Sequence, residues 1–154
     1  MSRRFTAVLI ATALVGCSRD ADPQPPATAE APMTARDDLE PLRKHLTLPP
    51  EIERGTWLAV PRGKPSMAPG PTDLVLLARF PLGAAAWAAI EPRLGPAKPA
   101  QRVEIDPRLR GVLPSGDEAV EGAVYDVEAL RTVRWGGGWA IWDGEALVVQ
   151  LYSR

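Results

Sequence analysis

The first seventeen residues constrain this chain most, because they separate its beginning from the part that folds. Arg3 and Arg4 precede an apolar run from Phe5 to Val15, and Cys17 follows closely. The run is about half of the ~20 apolar residues that a membrane-spanning helix needs. A cationic start before a short apolar core is typical of a secretory signal. The sequence therefore predicts that residues 1–16 are a cleaved signal peptide, leaving 138 of the 154 residues in the mature chain.

The end of the apolar run carries a second pattern, Leu14-Val15-Gly16-Cys17. It resembles the lipobox of bacterial lipoproteins, in which an aliphatic, a variable and a small residue precede an invariant cysteine. The resemblance covers only these first residues. It implies cleavage after Gly16, diacylglycerol in thioether linkage on Cys17, and an acylated new N-terminus. Several acyl chains on one residue anchor a protein to a bilayer far more firmly than one chain does. The lipid bilayer is therefore the first expected partner.

The residue after Cys17 bears on where such a protein resides. In lipoproteins of proteobacterial type, Asp at this position tends to retain the protein at the inner membrane, and this chain has Ser18. The resemblance therefore implies the bacterial cell envelope, with the protein on the outer membrane and facing the periplasm. Two alternatives stay open. Cys17 could follow a conventional cleavage site without being lipidated, or the whole segment could be a cytoplasmic core helix.

Behind the signal the sequence divides into a linker and one domain. Residues 17–36 are rich in Pro, Ala and charge, and Met33 is their one large apolar side chain. Such a segment buries too little apolar surface to offset its ordering entropy. We expect residues 17–36 to form a lipidated N-terminus and a disordered linker, and residues 37–154 to form a single globular domain.

Composition limits how that domain is stabilised and what it binds. Cys17 is the only cysteine, so the domain contains no disulfide and depends on its hydrophobic core. An apolar share of 45% with five Trp makes such a core feasible. The formal net charge of −1, together with export, argues against nucleic acid as a partner.

Hydrophobic periodicity predicts an α+β fold, with a small and mainly antiparallel sheet and one or two covering helices. Asp37 or Asp38 is the expected N-cap of a first helix that carries Leu39, Leu42 and Leu46. A second helix is predicted over Ala84–Ile90, with Pro92 kinking or ending it. Strand patterns occur at residues 55–60, 73–80, 102–105, 123–127, 139–142 and 145–152.

The C-terminal pair of strands carries the strongest local signal. Asp143-Gly144 lies between two β-rich runs, which predicts a hairpin with a type I′ turn. Alternation places Leu147, Val149 and Leu151 on one face, and Ala146, Val148, Gln150 and Tyr152 on the other.

Residues for nucleophilic or metal chemistry are scarce. His45 is the one histidine, and we interpret it as a solvent-exposed polar residue on the first helix. After Ser18 the serines are Ser66, Ser115 and Ser153, and none lies in a Gly-x-Ser-x-Gly elbow. The sequence therefore predicts no catalytic residue, no bound metal and no cofactor.

Five carboxylates between Asp117 and Glu128 form the acidic cluster of the chain. A calcium loop needs oxygen ligands at alternate positions around a central Gly, and this order is missing. Paired carboxylates could serve hydrolysis, although many chains of this size contain such pairs. A solvated acidic face is the favoured interpretation. The five residues are Asp117, Glu118, Glu121, Asp126 and Glu128.

Trp135, Trp139 and Trp142, with three glycines between the first two, form the most distinctive local cluster. Exposed tryptophans stack on sugar rings, so these residues are the candidate binding site. Trp139 and Trp142 are an odd number of positions apart, so in a regular strand at most one of them shares a face with Trp135. Tryptophans in a domain of this size are more often part of the core, and both hypotheses are kept here.

Three hypotheses for function follow. The first is a membrane-anchored envelope lipoprotein that acts as a non-enzymatic binding or accessory module for another envelope protein. The second is a glycan-binding or peptidoglycan-binding module that uses the tryptophans. The third is a small hydrolase that uses the carboxylates of residues 117–128.

Overall fold

The computed structural model describes residues 33–62 and 73–153. These residues contain a single six-stranded sheet in which every pairing is antiparallel. The strand order is β1-β2-β6-β5-β4-β3. The strands are β1 Thr56–Pro61, β2 Leu74–Pro81, β3 Lys98–Glu104, β4 Ala119–Tyr125, β5 Trp135–Trp142 and β6 Ala146–Ser153. The prediction of a small, mainly antiparallel sheet is thus confirmed.

Both faces of the sheet are covered by apolar packing. Leu147, Val149 and Leu151 of β6 belong to one buried cluster, whereas Val148 belongs to the other. This alternation agrees with the pattern read from the sequence. Helices α1, Leu39–Leu42, and α2, Ala84–Leu94, contribute to the first cluster, so we call that side the helix face.

The second cluster is closed by short 3₁₀ turns. Leu109 and Val112 of the 3₁₀ segment Pro107–Val112 are buried against it, and so is the following Leu113. We call this side the 3₁₀ face. The stretch after β3 has no regular strand or α-helix pattern, yet it covers this face of the sheet, because three apolar residues within five positions bring an otherwise polar loop onto it.

Helix α1 is shorter than predicted. It ends at Leu42, and Leu46 is bridged to Arg131 outside any helix. Asp38 occupies the N-cap position but makes no capping hydrogen bond, because its carboxylate accepts two hydrogen bonds from the Arg36 guanidinium, at 2.9 and 2.6 Å. A helix without its cap and with four residues depends on tertiary packing, here through the buried Leu42.

Helix α2 continues through Pro92 to Leu94. Proline removes one backbone bond, to Ala88, but Ile90 and Leu94 on either side of it are buried in the helix-face cluster. Arg93 also pairs with Glu51 at 3.1 Å. The helix ends at Gly95, where φ is +79°. The packed apolar residues, rather than Pro92, thus determine where α2 ends.

The hairpin between β5 and β6 is present, but its predicted type I′ turn is wrong. That turn requires positive φ at Asp143 as well as Gly144, and only Gly144 of the two has it, at +98°. The turn is instead centred on Gly144-Glu145, and the Asp143 N–H donates to the Ala146 carbonyl at 3.2 Å. The Asp143 carboxylate accepts from the N–H groups of Glu145 and Ala146, at 2.8 and 2.7 Å, which stabilises this alternative turn.

The chain enters the sheet through Arg36. Its N–H and C=O exchange hydrogen bonds with Trp57 of β1, at 2.8 and 2.7 Å, and its guanidinium lies 4.8 Å from the Trp57 ring centroid. Cys17, the predicted signal peptide and most of the predicted linker lie outside the described residues. In the described ranges no helix is long and apolar enough to cross a membrane.

Candidate interaction surface

The three tryptophans of the predicted binding cluster do not share one surface. Trp135 is 1% exposed and belongs to the helix-face core. Trp139 packs half-buried against the 3₁₀-face cluster, whereas Trp142 packs half-buried against the helix-face cluster. A bound sugar therefore cannot reach Trp135 without unfolding, and Trp139 and Trp142 cannot act together. Whether either one binds a glycan stays a prediction.

Trp135 instead forms part of an internal contact with His45. Their ring centroids are 5.5 Å apart with the rings edge to face, and Trp57 lies 6.4 Å from His45 on another side. His45 is half-buried, so its interpretation as a solvent-exposed residue is wrong. Burial lowers the pKa of His45, and the nearby charges of Arg134 and Lys44 lower this pKa further. The sequence could not show this, because Trp57 and Trp135 are distant along the chain.

A second aromatic cluster, which the sequence did not reveal, combines two half-buried tryptophans with a buried tyrosine. Trp87 of α2 stacks on Trp142 of β5, with ring centroids 4.3 Å apart and planes 2° from parallel. Tyr125 of β4 contacts Trp87 edge to face at 5.3 Å, and its hydroxyl donates to Glu91 at 2.8 Å. Burial and this hydrogen bond raise the pKa of Tyr125 to about 12. We call Trp87, Tyr125 and Trp142 the aromatic patch.

The geometry of the patch follows from two local patterns. Trp87, Ile90 and Leu94 recur at helical spacing, which turns Trp87 toward the sheet when α2 packs. Trp142 ends β5 on the helix face, directly opposite Ala123 of β4. Because the tryptophan rings stack on each other and Tyr125 is hydrogen-bonded to Glu91, the three side chains hold one another in place.

The patch borders an uncovered part of the sheet. Ala123 lies beside Trp142, and Glu121 follows two positions away on the same face of β4. Glu121 is paired in register with Arg102 of β3, their charged groups are 4.0 Å apart, and both side chains are 68% exposed. The aromatic patch thus continues into an exposed, charged surface formed by β3 and β4.

Strand β3 is exposed along almost its whole length. Of its seven residues only Val103 is partly buried. β3 is an edge strand, and its outer side has no partner in the part of the chain that the structure describes. The register shifts between Lys98 and Gln101, and Pro99 lies inside that irregular part. An exposed edge of this kind is a site where another strand can add.

The acidic residues separate into different environments. Asp117 and Glu121 line a cleft of about 330 Å³ together with Asp143, Glu145 and Arg79. By contrast, Glu118 pairs with Arg110 at 2.8 Å, Glu128 pairs with Arg131, and Asp126 accepts the Glu128 N–H. The structure thus brings two of the five predicted carboxylates to one cleft and uses the others in local pairs.

Within residues 33–62 and 73–153 no group of three or more His, Cys, Asp and Glu side chains is arranged to hold a metal ion.

Comparisons with known proteins give no match: no protein-family model, no curated protein and no solved structure is significantly similar to this chain.

Proposed function

We propose that this protein is a lipid-anchored lipoprotein of the bacterial envelope whose domain is a non-enzymatic binding module for another envelope protein. Its contact surface is the aromatic patch with the adjoining exposed surface of β3 and β4. The observation that carries the proposal is the half-exposed, stacked pair of Trp87 and Trp142 beside uncovered sheet. In this proposal the fold is of the α+β class, with α1 and α2 as covering helices.

The patch has the features of a binding hot spot. Trp, Tyr and Arg are enriched at such sites, and Trp and Tyr bury large areas with only two side-chain torsions to fix. The stacking of Trp87 on Trp142 fixes both rings, so a partner loses little further side-chain entropy on binding. Arg102 and Glu121 lie at its side and, at 68% exposure, supply a polar rim for orientation.

The anchor is supported by Arg3, Arg4, the short apolar run and the lipobox-like Leu14-Val15-Gly16-Cys17. Acylated Cys17 holds the domain at the bilayer, and Ser18 directs it to the outer membrane, facing the periplasm. The Pro-rich and Ala-rich linker gives the domain a reach of several nanometres at most, from about 3.1–3.6 Å per extended residue. The partner is therefore a protein of the same membrane or of the periplasm near it.

The anchor is tested by Cys17→Ser. We expect this variant to lose its acyl mass and to leave the membrane fraction in a high-salt wash, whereas wild-type protein stays with the membrane and begins at a modified Cys17. Mass spectrometry of the N-terminus and membrane fractionation measure both effects. An unmodified wild-type N-terminus, or a Cys17→Ser protein that is processed and retained normally, would contradict the proposal.

The binding surface is tested by photo-crosslinking and affinity capture of the full-length protein from envelopes. Trp142→Ala and Glu121→Arg should both reduce capture of the same partner, by about tenfold or more for the tryptophan. Glu121 is exposed, so its replacement leaves the core intact. Trp139→Ala is the matched control, because it removes a half-buried tryptophan from the opposite face. Equal loss in all three variants would indicate unfolding, and unchanged capture in the first two would refute the proposed surface.

Glycan binding is the second candidate function, and we assign it to Trp142. This residue is half-exposed at the patch, unlike Trp135. Co-sedimentation with purified peptidoglycan that is lost in Trp142→Ala and kept in Trp139→Ala would favour this candidate over a protein partner.

A further inference from the structure

The outer side of β3 exposes a short and defined set of backbone groups. The Ile105 N–H donates to the Glu118 carbonyl at 2.8 Å. Ile105 is the residue after β3, and extending the pairing of Glu104 with Ala119 by one residue sets Ile105 opposite Glu118. In an antiparallel ladder the backbone groups of successive residues point alternately to either side. Val103 therefore points its N–H and C=O inward to β4, while Arg102 and Glu104 point theirs outward.

These two outward residues carry opposite charges. Arg102 and Glu104 lie opposite Glu121 and Ala119, and their side chains share the helix face. Val103 lies between them with its side chain on the 3₁₀ face, packed against that cluster. Read forward, the triplet is basic, β-branched and acidic, and read in reverse it is acidic, β-branched and basic, so each charge meets its opposite. The edge is thus complementary to itself when two copies run antiparallel.

We propose that β3 pairs with β3 of a second copy of this chain about a two-fold axis through Val103. Arg102 then lies opposite Glu104 of the second copy, and Glu104 lies opposite its Arg102. Each of these pairs exchanges two backbone hydrogen bonds, and each sets a cation beside an anion on one face. Val103 meets its own equivalent on the other face. The result is one continuous sheet with an isologous interface.

The structure also limits this pairing to a few residues. The register shift between Lys98 and Gln101 and the missing N–H of Pro99 prevent regular pairing before Gln101. Pro107 begins a 3₁₀ segment just beyond the other end. A parallel, in-register arrangement would set Arg102 against Arg102, which like-charge repulsion disfavours. The antiparallel register centred on Val103 is thus the one that these charges select.

The test uses the full chain in membranes with Val103→Cys. In the proposed register residue 103 forms a non-hydrogen-bonded pair with Cα atoms about 4.5 Å apart, which is within disulfide range. Mild oxidation should give a covalent dimer. Val133→Cys, at a fully exposed position, is the control for random collision and should crosslink at least about tenfold less. Oxidation of the wild-type protein, whose only cysteine is Cys17, measures any crosslinking through Cys17 itself. Crosslinking through an unlipidated Cys17 is thereby distinguished from crosslinking through residue 103.

A charge exchange gives the second test, in the Val103→Cys background. Arg102→Glu or Glu104→Arg alone creates two like-charge pairs and should lower the dimer fraction about tenfold. The double variant restores opposite pairs and should restore crosslinking. Glu121→Gln removes only the ion pair within one chain and should leave crosslinking intact.

Three results would overturn the proposal. They are equal crosslinking of Val103→Cys and Val133→Cys, no rescue in the double variant, and a Val103→Cys adduct with the mass of a different protein.

Discussion

At the scale of single residues, His45 is the group most altered by the fold. Its ring neighbours are Trp57 and Trp135, and its Nδ1 atom is buried without a hydrogen-bond partner among the described residues. The charged groups near it are Lys44 and Arg134, both positive. Burial and these two cations act in the same direction, so the folded state disfavours the imidazolium and lowers the pKa of His45.

This pKa shift predicts how stability changes with pH. An unfolded histidine titrates near its ordinary pKa of about 6.5, and folded His45 titrates lower. Between the two values the unfolded state binds more protons. The contribution of His45 to the free energy of unfolding is therefore fully present above about pH 6.5. It falls as the pH drops through that value, and it becomes constant below the pKa of His45 in the folded state.

The measurement is urea unfolding at a series of pH values, followed by tryptophan fluorescence. His45→Gln should flatten the slope of unfolding free energy against pH below about 6.5, because glutamine does not titrate. If the unfolding free energy of the variant depends on pH as steeply as that of the wild-type protein, titratable groups other than His45 cause the dependence.

At the scale of elements, the contact between β5 and β6 depends on one glycine. A Cβ atom on Gly138 would overlap the Gln150 carbonyl oxygen and lie 2.9 Å from Leu151 Cδ2, whereas a Cβ on the neighbouring Gly137 meets nothing within 4 Å. We expect Gly138→Ala to lower the free energy of unfolding by about 1–3 kcal/mol. Gly137→Ala, the matched control, should change it by less than about 1 kcal/mol. Urea unfolding of both purified variants measures the difference, and equal stability would contradict the close approach.

The elements that the sequence predicted are those whose type follows from the spacing of apolar residues within the element itself. Alternation along residues 145–152 established the two faces of β6, and the helical spacing of Trp87, Ile90 and Leu94 indicated α2. The prediction was wrong at Asp143, because the carboxylate bonds two backbone N–H groups that a sequence pattern does not reveal. The sequence pattern also predicted that this strand begins at Arg102, whereas β3 begins at Lys98. The residues from Lys98 to Gln101 belong to the sheet only through their pairing with β4.

At the scale of the whole molecule, the candidate surface could be predicted only in part. Trp142 was named from the sequence, but its neighbour Trp87 was not, since the two residues meet only when α2 crosses the helix face. Trp135 is a candidate from the sequence but belongs to the core, because its segment packs against the residues after α1, where His45 contacts Trp135 and Leu46 is bridged to Arg131. Which side of each tryptophan faces outward depends on packing between distant segments, and periodicity does not contain that information.

The link between Arg36 and Trp57 has a mechanical consequence. The first backbone pairing to the sheet is here a single bridged residue pair rather than a full strand, so tension from the N-terminal side would bear on that pair. Two hydrogen bonds and one guanidinium–indole contact hold that pair, far fewer than the bonds between β1 and β2. If the chain is pulled from its N-terminal side, we expect this pair to separate before the strands of the sheet do, because fewer hydrogen bonds hold it.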